Sequence, residues 1–90
     1  MQNKGIAATT RQIATSTTAV EVYPALANRS IARINNDSGV NMRVMFGAVD
    51  ASATVGEVIP AGATLSTVAL AASRITIALE SGTGTAWATP

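Results

Sequence analysis

Few side chains in this 90-residue chain can carry chemistry: five acids, Glu21, Asp37, Asp50, Glu57 and Glu80, six bases, and neither His nor Cys. Without thiolate or imidazole there is no disulfide framework, no Cys/His zinc site and no nucleophile activated by an imidazole base. The acids are isolated in sequence, so a carboxylate pair for glycoside hydrolysis would have to be assembled by folding alone. Solvated or turn roles are the expectation. The run Asn35-Asn36-Asp37-Ser38 offers oxygen ligands that calcium accepts, but it lacks the spaced carboxylates and bidentate Glu of a binding loop and reads as turn chemistry. No catalytic residue, metal ligand or cofactor site is therefore expected, and the chain reads as a non-enzyme.

Two binding constellations remain. Arg29, Arg33 and Arg43 flank one pair of runs, and Arg33 beside Arg43 across strands would make a small basic patch for phosphate or carboxylate. Pairing with Glu21, Asp37 or a subunit neighbour is the plainer expectation, because nucleic-acid surfaces interleave such charge with stacking aromatics. The aromatics are only Tyr23, Phe46 and Trp87. Phe46 shares a face with Met42 and Val44 and reads as core. A sugar-stacking module would need Tyr23 and Trp87 exposed side by side.

The elements that must position these residues are short. From Arg11 onward, runs with period-two alternation recur between turn signals about ten residues apart, as in an all-β sandwich or barrel. Eight are readable: 11–15, 19–23, 30–35, 41–46, 55–59, 63–68, 74–80 and 85–89. Residues 1–10 carry one large aliphatic residue, Ile6, and no period, and read as an N-terminal arm. A single domain over 11–90 follows. Asn35 to Gly39 is a strong turn signal, making 30–35 and 41–46 the clearest hairpin. Pro60-Ala61-Gly62 joins a second, and Ser81 to Gly84 a third. The alternation predicts a core of Val20, Val22, Ile34, Met42, Val44, Phe46, Ile75, Ile77 and Leu79. Leu65, Val68, Ala69, Ala72, Ile75 and Leu79 also fit helical spacing. The β-branched Thr64, Thr67, Ile75, Thr76 and Ile77 favour strands, and a single turn near 68–72 would satisfy both signals.

Charged residues make up 12% of the chain and the net charge is +1, too little field to gather nucleic acid or an anionic membrane surface. The start Met-Gln-Asn-Lys-Gly lacks the apolar stretch of a secretory signal, and the longest apolar run, 68–72, is far short of a span, so synthesis in the cytoplasm is expected. Mean hydropathy is +0.32. A positive value with few charges implies a surface of Ala, Thr, Ser, Asn and Gly that is easily desolvated, which favours a homo-oligomer over a lone monomer.

The stretches Arg33-Ile34-Asn35-Asn36-Asp37-Ser38-Gly39, Met42-Arg43-Val44-Met45-Phe46-Gly47 and Glu57-Val58-Ile59-Pro60-Ala61-Gly62-Ala63-Thr64-Leu65 resemble small all-β virion proteins of tailed bacteriophages. The nearest resemblance, over roughly residues 11 to 88, is to head decoration, or capsid cement, proteins. It implies a small antiparallel β-sandwich of jelly-roll-like form without catalysis. It also implies attachment to the major capsid protein on the outer face of an icosahedral shell, often as a homotrimer bridging capsomers. Tail, head-to-tail adaptor or fibre-base proteins of the same particles are the alternative, and a carbohydrate-binding module is a third.

Overall fold

The computed structural model describes residues 11–26, 29, 31–68, 70 and 72–89; the expected arm at 1–10 lies outside them. Eight strands follow in order: β1 Arg11–Thr15, β2 Val20–Tyr23, β3 Ala32–Asn36, β4 Met42–Phe46, β5 Glu57–Ile59, β6 Thr64–Thr67, β7 Ile75–Leu79 and β8 Gly84–Thr89. They form two four-stranded antiparallel sheets, ordered β1-β8-β3-β6 and β2-β7-β4-β5. The described part of 65–79 divides between β6 and β7, and no described residue is helical. Ala69 and Ala71, within the expected turn, lie outside the described residues.

The wiring corrects the hairpin expectation. The 30–35 and 41–46 runs do not pair: β3 lies in the first sheet and β4 in the second. The same holds for β5 with β6 and for β7 with β8. Only β4 and β5 are both consecutive and paired among the described strands. Steady crossing between two layers, closing β1 on β8 and β2 on β7, is a jelly roll. Alternation and turn residues do not distinguish a hairpin from such a corner, because both carry an inward face through a tight turn. The corner nevertheless has a mark. In a hairpin the turn's backbone groups satisfy one another, whereas a crossing corner needs side chains. Asn36, wholly buried, donates its amide to the carbonyls of Val40 (2.7 Å) and Ile59 (2.8 Å). Its Oδ1 accepts from the Ser38 hydroxyl (2.6 Å) and backbone N–H (3.1 Å). The Gly62 N–H reaches the Asn36 carbonyl (2.7 Å), so one side chain and its peptide hold two corners together. Gly84 completes that end: a Cβ there would sit 2.4 Å from the Ser38 Cβ.

Between the sheets, large and small side chains interlock. The second sheet contributes Val22, Tyr23, Met42, Val44, Ile59, Ile75, Ile77 and Leu79; the first contributes Ile13 and Ile34 with Ala32, Ala86 and Ala88, all buried. Alanines opposite long aliphatics let the layers approach without voids. Of the expected core, Val20 and Phe46 are only partly buried, at its margin. Strict alternation with Val20 and Val22 inward would set Tyr23 outward beside Glu21, but Tyr23 is buried. A register shift between Glu21 and Tyr23 turns Val22 and Tyr23 inward together, the effect of an extra residue in one strand of a ladder.

Strand β7 is buried at all five positions, and β8 is not. Ile75, Ile77 and Leu79 face the core, so Thr76 and Ala78 lie on the outer face and are covered there. Over Thr76 the cover is the 47–56 link. The Ala51 N–H donates to the Thr76 hydroxyl at 2.9 Å, and Gly56 lies so close to β4 that a Cβ would be 2.7 Å from the Val44 carbonyl oxygen. Gly56 also has φ +127°, a conformation that costs a side chain strain.

Candidate functional site

Two arginines, Arg74 and Arg43, hold this cover in place. Arg74, just before β7, bridges Glu21 on β2 and Asp50 in the 47–56 link, each at 2.7 Å, and also donates to the carbonyls of Gly47 and Ala48. The two carboxylates hold the Arg74 guanidinium above its ordinary pKa, chiefly through their hydrogen bonds. Arg43 on β4 pairs with Glu80 at 2.8 Å and donates to the Gly56 carbonyl at 3.1 Å. Three of the five acids thus hold the two arginines that fasten the link, and Asp50 does so from within it. Glu57 is exposed on the edge strand β5, and Asp37 accepts a hydrogen bond from the Trp87 indole at 3.3 Å. No group of three potential metal ligands gathers among the described residues.

The basic patch is not assembled. Arg33 and Arg43 belong to different sheets. Arg29 donates to the Pro24 (2.5 Å) and Ser73 (3.1 Å) carbonyls and lies 4.6 Å from the centre of the Tyr23 ring. Arg74, the residue that carries the largest ionic network, was not singled out by sequence. Only its place, directly before an alternating run and after a turn, marks it as able to reach back across a sheet.

The aromatic pair fails as well. Tyr23 is 5% exposed, with Arg11 and Arg29 over its ring and no hydrogen-bond partner for its hydroxyl among the described residues. Burial pushes its pKa up, and the two guanidinium charges oppose that shift. Arg11 also donates to the Val22 carbonyl, closing the rim where β1 and β2 meet. Trp87 alone is open, on the outer face of the first sheet. The two stacking rings that a sugar module was expected to need are therefore not side by side.

The other exposed feature is aliphatic. Leu26, Val68 and Leu70 are 51%, 70% and 43% exposed. They sit on the β2–β3 and β6–β7 links, which the Leu26 N–H to Ala72 carbonyl bond (2.9 Å) and the Arg29 to Ser73 bond draw together at one end of the sandwich. Exposed aliphatics gathered on adjoining links mark interaction sites more often than scattered ones. No family, no curated protein and no solved structure matches this chain.

Proposed function

We propose that the protein is a structural virion protein that binds the outer surface of an icosahedral capsid and stabilises contacts between capsomers of the major capsid protein. The reading starts from the resemblance of residues 11 to 88 to phage decoration proteins and from the jelly-roll fold, which viral capsid and lectin domains share. The observation that carries it is the aliphatic end, Leu26, Val68 and Leu70, on a domain whose salt bridges fasten its own loop. Such an end attaches by apolar contact. Each aliphatic side chain fully buried there contributes about 1.5 to 3 kcal/mol before the entropy of association, against about 0 to 1 kcal/mol for an exposed ion pair. Association of the subunit as a trimer would let the same low-charge surface be buried between copies.

The test uses purified particles washed in low and in molar NaCl, with the protein counted in the pellet. Retention at hundreds of copies in both salts is the expected result, and Val68→Asp should leave the particle while keeping its β-sheet circular dichroism. Copies in multiples of six or twelve would assign it to a tail or adaptor. Release by salt alone would show that ionic contacts dominate, against the apolar reading.

A further inference from the structure

The outer face of the first sheet is open where β7 in the second is covered. Its central row crosses all four strands: Gln12 on β1 stands opposite Trp87 on β8, Trp87 opposite Asn35 on β3, and Asn35 opposite Thr64 on β6. Ala14 and Thr85 lie beside the row on one flank, Arg33 and Ser66 on the other. Trp87 is 37% exposed and is the chain's single tryptophan. Its indole N–H is committed to Asp37, which fixes the ring's direction. The Asn35 amide donates to the Thr64 hydroxyl at 2.9 Å and to the Ala63 carbonyl at 3.4 Å; both bonds use its NH2 group and leave its Oδ1 to accept. Gln12 is exposed.

The two-ring module expected of Tyr23 and Trp87 is not formed, but one ring among polar groups is; we propose that this face is a carbohydrate-binding platform, with Trp87 as its single stacking ring and Gln12, Asn35, Asp37 and Thr64 as partners for sugar hydroxyls. Sugars present one apolar C–H face and a rim of hydroxyls, and a fixed indole among amide, carboxylate and hydroxyl groups complements both. Strands lie about 4.8 Å apart, so the row from Gln12 to Thr64 runs about 15 Å, the length of a short oligosaccharide. A second protein copy fits this face poorly. Interface cores are apolar and desolvated, while the domain's exposed leucines and valines lie on other elements: on the β2–β3, β4–β5 and β6–β7 links and on β5. The proposal does not depend on attachment to a shell.

The lone tryptophan gives a direct readout. The full chain is titrated with cellohexaose, maltohexaose, chitohexaose, dextran and a bacterial O-polysaccharide, following tryptophan emission. At least one should shift the emission saturably. Affinity electrophoresis in gels containing that glycan should show retardation that Trp87→Ala weakens by roughly tenfold or more. Gln12→Ala and Thr64→Ala should weaken it several-fold, and Val68→Asp not at all. No emission change with any of the five glycans overturns the proposal, as does retardation that survives Trp87→Ala. Emission that responds to protein concentration alone makes the face a contact between copies and equally refutes it.

Discussion

The two sheets are built alike on the inside and oppositely on the outside. The second sheet's outer face is roofed by the 47–56 link, bonded through Ala51 to Thr76 and clamped by Arg74 and Arg43, whereas the first sheet's outer face carries an open row around Trp87. β7 and β8, which are neighbours in sequence, register the difference: the first is buried on both faces, and the second alternates. A sandwich of this size has little interior, and roofing one sheet adds a third layer that enlarges it. Every salt bridge among the described residues involves Arg43 or Arg74, the two arginines that clamp that roof, while the other face presents mainly uncharged polar side chains.

Matched substitutions should break this contrast most sharply. Ala78 and Ala14 both point outward, Ala78 wholly buried and Ala14 exposed. Ala78→Glu puts a carboxylate at a wholly buried position where the group opposite, Arg43, is already paired with Glu80, and should cost about 3 kcal/mol or more, while Ala14→Glu should stay within about 0.5 kcal/mol. Urea denaturation of the pair measures both, and equal costs would mean that Ala78 is not covered. Gly56→Ala should follow, at about 2 to 3 kcal/mol, since it adds positive-φ strain to a clash with the Val44 carbonyl. Hydrogen exchange at the Ala51 amide should rise in that variant and leave the first sheet unchanged. Thr76→Val keeps the shape but removes the acceptor for the Ala51 N–H, with an expected loss of about 1 to 3 kcal/mol.

The smallest effect lies at the rim between the faces. Because the folded protein raises the Tyr23 pKa, the unfolded chain releases the phenolic proton first. The stability tied to the neutral phenol is therefore full below pH 10.0 and is lost as pH climbs through the higher folded value. Melting temperature scanned from neutral to alkaline pH should fall above that point, and Tyr23→Phe should flatten the fall. At neutral pH the same variant should be as stable as the parent, since its hydroxyl has no described partner.

The strands and most of the inner face were legible in the sequence because alternation reports burial directly. Ile34, Met42, Val44, Ile75, Ile77 and Leu79 all sit where the period places them. What alternation does not encode is which sheet a strand joins, so the Asn35 to Gly39 turn read as a hairpin although Asn36 was building a corner between layers. Ala86 and Ala88 were passed over because alanine is a weak apolar signal, yet their smallness is what the opposing aliphatics need. Tyr23 required knowledge of a bulge. The roof was illegible for a different reason: 47–54 is a run of small residues whose anchors, Arg43 and Arg74, lie in other parts of the chain. Trp87 was noticed, but its companions Gln12, Asn35 and Thr64 come from three other strands and meet only through the ladder.

The layer-crossing topology also determines how the chain must reach this state. β1 closes on β8 and β2 on β7, so the first strands made must wait for the last before any ladder forms around them. Only β4 and β5 can pair locally among the described strands, which makes the middle of the chain the natural place for folding to begin. Every later step closes a longer loop, and barriers of that kind put all-β domains in the millisecond-to-second range rather than microseconds. During synthesis β1 and β2 stay unpaired until roughly 50 to 70 residues more have emerged. Circular permutation that joins β8 directly to β1 and opens the chain at the 47–56 link would exchange that delay for a local hairpin, at the expense of the roof.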